Sequence, residues 1–239
     1  MPEAFSKQGD NIRHLHRSFV LAASFAALLW LIKIGDITFG LDLVQYGIFP
    51  RRLSGLQGVA WAPLIHGSLS HLFSNTAPLI ILGTALLFGY PKSAKIVIPV
   101  IYSGTGLAVW LLARSSYHIG ASGLVFGMMF FVFTIGVLRW DRRAITLSLL
   151  VFLLYGGIIW GILPGAPGIS FESHLFGAVI GIVLAFVLKT YDPPPPERRY
   201  SWEDEEQEQE QESESEEEWP RRSPGAGQCD RPMIQEVAQ

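Results

Sequence analysis

The stretch HIGASGLVFGMMFF, residues 118–131, decides how the rest of the chain is read. Ser122 stands between Ala121 and Gly123, with Gly120 just before, at the head of a long apolar run. A serine in a helix ordinarily returns its hydroxyl to the backbone and has no further role. Small residues on both sides of it invite a second helix to come close. Whether one does depends on what the neighbouring apolar runs carry.

Working outward, six runs are long and apolar enough to cross a bilayer core of about 30 Å. They fall near 18–34, 69–90, 95–113, 119–138, 144–163 and 171–190. The first is too long, and lacks the small-residue site, for a cleaved leader. The expectation is therefore an all-α polytopic membrane protein with six transmembrane helices in residues 18–190. Residues 1–17 form a cytoplasmic N-terminal segment, and 191–239 an acidic, disordered cytoplasmic tail. That tail, reading DPPPPERRYSWEDEEQEQEQESESEEEWP from Asp192, has too little apolar content to bury a core.

Basic residues orient the bundle. With the N-terminus inside, the internal segments hold Lys7, Arg13, Arg17, Lys92, Lys95, Arg139, Arg142, Arg143, Lys189, Arg198 and Arg199. The external ones hold Lys33, Arg51, Arg52 and Arg114. Eleven against four puts both ends of the bundle on the cytoplasmic side. The long connection of residues 35–67 is too aromatic and aliphatic for a solvated loop, so it is expected to lie partly in the membrane interface. LPGAPGIS, residues 163–170, reads as a mobile external cap.

Composition closes off other classes. Only 16% of the 239 residues are charged while 49% are hydrophobic, and no basic face is interleaved with aromatics, which excludes nucleic acid as a partner. The single cysteine, Cys229, lies in the tail, so neither a disulfide framework nor a cysteine zinc site is available.

Ionisable and polar groups inside spanning helices are costly and point to function. Spans two, four and six all run inward. Each carries polar groups near its outer end: His71 and Asn75 in the second, Ser122 in the fourth, His174 in the sixth. His71 and Asn75, four apart, share a helix face, and His174 shares one with Gly177, Ala178 and Gly181. Such small-xxx-small spacing lets backbones approach closely, bringing a base within reach of the serine. His174 then removes the Ser122 proton, the alkoxide attacks a peptide carbonyl, and His174 protonates the departing amine. His71, Asn75 and the Ser122 N–H are donors for the oxyanion. Glu172 points off the His174 face, so the arrangement reads as a dyad. His118, one turn before Ser122, is a competing base, and His66, five residues from His71, has a structural role.

IHGSLSHLFSN (65–75), GASG (120–123) and HLFGAVIG (174–181) resemble the rhomboid intramembrane serine proteases, a resemblance covering roughly residues 15–190. GIFPRRLSGL and AWAPLIHG are similar to the external loop and second-helix entrance of bacterial members. The resemblance implies a six-transmembrane-helix rhomboid-like bundle with Ser122 as nucleophile, His174 as base, His71 and Asn75 at the oxyanion, and His66 bracing the external loop. Gly120, Gly123, Gly177 and Gly181 support the close helix approach, and Phe126 packs on the His174 ring where the family often has tyrosine. It implies no metal and no cofactor, transmembrane protein substrates admitted sideways past span five and the cap, and a bacterial plasma membrane. A partner for the acidic tail is not implied.

Three rival functions are weighed. A metal enzyme using His66, His71 and His174 lacks the His-Glu-x-x-His motif and any carboxylate in the cluster. A transporter lacks an inverted repeat and a pair of broken helices. A non-catalytic protein binding transmembrane helices on the same fold would have no need of both Ser122 and His174.

Overall fold

The computed structural model describes residues 2–140, 142–163 and 170–192, all within one compact unit, Met1–Pro195. Every extended element among the described residues is a helix. They are α1 (Pro2–Phe39), the short α2 (Leu53–Leu56) and α3 (Gly58–Trp61), α4 (Leu69–Gly89), α5 (Pro91–Leu112), α6 (Ser122–Arg139), α7 (Arg142–Tyr155) and α8 (Phe171–Leu188). Five of them, α1, α4, α5, α6 and α8, are long and apolar enough to cross a membrane. α7 has 14 residues and continues as tighter 3₁₀ turns over Gly156–Ile162.

Local chemistry sets the ends. Ser68 caps α4 by accepting from the His71 N–H, and Ser170 caps α8 by accepting from the Ser173 N–H. Pro91 occupies the first turn of α5, where a missing N–H costs nothing. Pro78 lies inside α4 and Pro99 inside α5. Neighbouring helices and hydroxyls make such prolines tolerable in a membrane span.

α6 is the middle of the bundle and packs against α4, α5, α7 and α8, while α1 lies on α4. Glycines decide the α6–α8 contact. A Cβ on Gly177 would strike the Gly123 carbonyl oxygen, and one on Gly181 the Gly127 carbonyl oxygen. The two backbones touch with no side chain between them, the small-residue packing expected where lipid supplies no hydrophobic drive. Large apolar side chains such as Leu31, Phe73, Leu112 and Val187 cover the outside, as a lipid-facing surface requires.

The connection from α1 to α4 is ordered and stitched to the C-terminal end of α5 and the segment before α6. Ile48 and His118 exchange two backbone hydrogen bonds (3.0 and 2.9 Å), Arg51 N–H donates to the Trp110 carbonyl at 2.9 Å, and Gly120 N–H to the Ala62 carbonyl at 2.8 Å. Gly55 and Gly58 let this connection fold on itself, since a Cβ on either would strike the backbone of residues 47–49.

Three expectations change. The first helix runs on to Phe39, so Lys33 is not an external loop charge. It lies buried in α1, paired with Asp36 at 2.8 Å, because a buried lone ammonium would be costly. α6 begins at Ser122 rather than 119, because Gly120 adopts φ +106° and cannot continue a helix backward. Asp192 is no part of a solvated tail. It is 4% exposed, and its carboxylate accepts from Lys92 N–H (2.9 Å) and Ser93 N–H (2.8 Å), covering the free amides at the start of α5. The rest of the expected tail, 193–239, and the centre of the expected cap, 164–169, lie outside the described residues.

Candidate active site

Ser122 is the first residue of α6 and half-buried. The leading amides of a helix have no partner within it, so Ser122 N–H and Gly123 N–H stand at the positive end of the α6 dipole. The turn delivering Ser122 is held from below by His66, whose Nε2 accepts from the Ala121 N–H at 3.5 Å. His66 is 1% exposed, and burial lowers its pKa to about 4, so the ring is neutral and able to accept.

Gly120 brings a second histidine to the same turn. A Cβ there would lie 2.7 and 2.8 Å from Cε1 and Nε2 of His71. Its positive φ and this close ring both demand glycine. His71 in turn meets His66 edge to face, ring centres 5.0 Å apart. One turn further along α4, buried Asn75 donates from Nδ2 to the His71 carbonyl at 2.9 Å.

His174, on α8, is 7% exposed. Phe126, one turn into α6, stacks flat on its ring, centroids 4.1 Å apart and planes 5° from parallel. His174 Nδ1–H donates to the Gly161 carbonyl at 2.8 Å. A carbonyl can only accept, so this bond requires the proton on Nδ1 and leaves the Nε2 lone pair free. Among the described residues no hydrogen bond joins Ser122 to His174. Such bonds are often long in a substrate-free site and tighten on binding.

His118, the competing base, is committed elsewhere. Its Nε2–H donates to the Arg114 carbonyl (3.0 Å), so Nδ1 is left to accept from the Ser170 hydroxyl at 2.6 Å. Burial lowers its pKa. Glu172 faces Arg114, with Oε1 accepting from its backbone N–H (3.4 Å) and pairing with its Nε (3.6 Å). Gly123 fits α6 against the Ser173 carbonyl and Thr105, where a Cβ would stand 3.1 and 2.8 Å away. Among the described residues no three His, Cys, Asp or Glu side chains form a group able to hold a metal.

The histidine and serine positions were marked by the sequence. The Gly161 carbonyl was not, and no residue type could have marked it, because every residue has one.

The sequence matches the rhomboid domain family over residues 55–191. The chain belongs to the rhomboid family. It is 36% identical to an uncharacterized protein of Mycobacterium tuberculosis over 185 residues, covering 74% of this chain and 75% of that one. An uncharacterized protein of Mycobacterium leprae is 32% identical over 192 residues, 75% of this chain and 73% of the other. RHOMBOID-like protein 4 of Arabidopsis thaliana is 28% identical over 129 residues, 52% of this chain and 32% of that one. With five apolar helices of spanning length, this rhomboid protein is an integral membrane protein.

Proposed function

We propose that this rhomboid protein is an intramembrane serine endopeptidase that cleaves transmembrane proteins with a Ser122–His174 dyad. The observation that carries the reading is the His174 ring, stacked on Phe126 and bonded through Nδ1, with Nε2 left free on the helix packed hardest against the Ser122 helix. His174 Nε2 takes the Ser122 proton as Oγ attacks the scissile carbonyl. The oxyanion is met by the Ser122 N–H, Asn75 Nδ2 and the His71 ring. His174 then protonates the leaving amine, and water reverses the sequence to release the acid product.

The fold is read as six crossings. At about 1.5 Å per residue α7 covers roughly 21 Å, and seven further residues at about 2 Å add roughly 14 Å, enough for a core of about 30 Å. Both ends of the bundle then face the cytoplasm, in a bacterial plasma membrane, and the site opens outward. Substrates are transmembrane helices admitted past α7.

The test is labelling of the detergent-solubilised protein with a fluorophosphonate probe. Wild type is expected to label, and Ser122→Ala and His174→Ala to lose the label while keeping the fold. The missing Ser122–His174 hydrogen bond favours a second reading, a helix-binding protein without catalysis. Folded wild type that resists the probe would support that reading over the protease.

A further inference from the structure

The serine and its base lie on α6 and α8, but the group that orients the base does not. Gly161 belongs to the 3₁₀ turns that follow α7. Its carbonyl holds His174 Nδ1 at 2.8 Å, and a Cβ on it would stand 3.1 Å from Nδ1 and 3.2 Å from Phe126 Cζ. One main-chain residue therefore meets both rings of the stacked pair. Stacking on Phe126 fixes the plane of the imidazole but leaves it free to turn within that plane. A hydrogen bond from Nδ1 removes this freedom and selects the tautomer.

The element bearing Gly161 is held unevenly. At its middle, α7 presses Ser148 against Gly136, and the Ser148 hydroxyl donates to the Val132 carbonyl at 3.1 Å. Toward its outer end it borders an apolar cavity of about 80 Å³ lined by Met129, Phe130, Phe133, Val151, Phe152 and Gly156. No polar bond among those lining side chains resists a shift of the outer half. We propose that the Gly161 carbonyl is the positioning group of the dyad: it holds the Nδ1–H tautomer of His174, so that outward displacement of α7 and its 3₁₀ turns frees the ring and disarms the base. The inference rests on the protease reading above. It makes a substrate that wedges α7 aside productive only after Gly161 has returned.

The test uses full-length protein with ¹⁵N-labelled histidine in lipid bilayers, reading the ring nitrogens of His174, assigned by their loss in His174→Gln. Wild type is expected to show one neutral species protonated on Nδ1. Two variants weaken the bond differently: Gly161→Ala crowds the ring, and an ester in place of the Gly161–Ile162 amide weakens the carbonyl as an acceptor without altering a side chain. Each should give a mixture of tautomers and lower kcat about 10–100-fold, the scale known for losing the partner that orients a metal-ligating histidine, with KM nearly unchanged. A wild-type ring protonated on Nε2, or a tautomer that the ester leaves untouched, would overturn the proposal. Averaged tautomers in protein that still labels at Ser122 would sink the positioning role and leave the protease. A fixed Nδ1–H ring in protein that never labels would sink the protease and leave the bond.

Discussion

The two flanks of α6 are built to opposite standards. Toward α8 the helices meet backbone to backbone, Gly123 and Gly127 against Gly177 and Gly181. The rings of Phe126 and His174 lie parallel there, 4.1 Å apart. Toward the C-terminal half of α7 the contact is Phe133 on Phe152, tilted at 31° with centroids 6.1 Å apart, beside an apolar cavity. The first flank tolerates no added atom, whereas the second has room to spare. Chemistry that must hold a base within tenths of an ångström of a nucleophile needs the first kind of packing. Letting a substrate helix through from the lipid needs the second. In the proposed protease a single helix would serve both by placing small residues on one side and large flexible ones on the other.

The largest effect is expected just beside the tight flank, at Asn75 on α4. Asn75→Ala is expected to reduce turnover about 10²–10³-fold, the typical cost of one oxyanion donor, with little change in probe labelling at Ser122. Equal turnover of the variant and wild type on a transmembrane substrate would remove Asn75 from the reaction. Gly177→Ala places a methyl group on the Gly123 carbonyl. Backbone cannot swing aside, so overpacking should cost about 1–3 kcal/mol, readable as a lowered midpoint in SDS unfolding.

The His66 brace adds a pH dependence. Its pKa near 4 in the folded protein lies below about 6.5 in an unfolded chain. Between those values the unfolded chain binds more protons, so stability is full above pH 6.5 and is lost as pH falls toward 4. From pH 7.5 to 5 the loss from this ring should be about 2 kcal/mol. Wild type and His66→Asn compared at both pH values isolate it; parallel slopes would mean that the ring charges freely in the folded state. The smallest effect belongs to the loose flank. Phe152→Ala, at a side chain already 57% exposed, should shift stability by only about 0.5 kcal/mol. A cost matching that of Gly177→Ala would erase the contrast between the two flanks.

The apolar runs and the small-residue spacing were enough to find the spanning helices α4, α5, α6 and α8 to within a few residues, because lipid imposes a length and a composition on any segment that crosses it. The same spacing put Ser122 and His174 on facing helices, since a 3.6-residue period fixes which residues share a face. Charge was read less well. Lys33 looked external and Asp192 looked solvated, yet each is buried against a partner, Asp36 for one and the amides of Lys92 and Ser93 for the other. Those partners were set by how helix ends meet, which hydropathy does not encode. What the tertiary structure alone decided is the state of the histidines. Neutral His66 accepts a backbone N–H, His118 is spent on Arg114 and Ser170, and His174 is turned by a carbonyl thirteen residues away. A main-chain carbonyl has no signature in sequence. Only folding determines which one a ring will find.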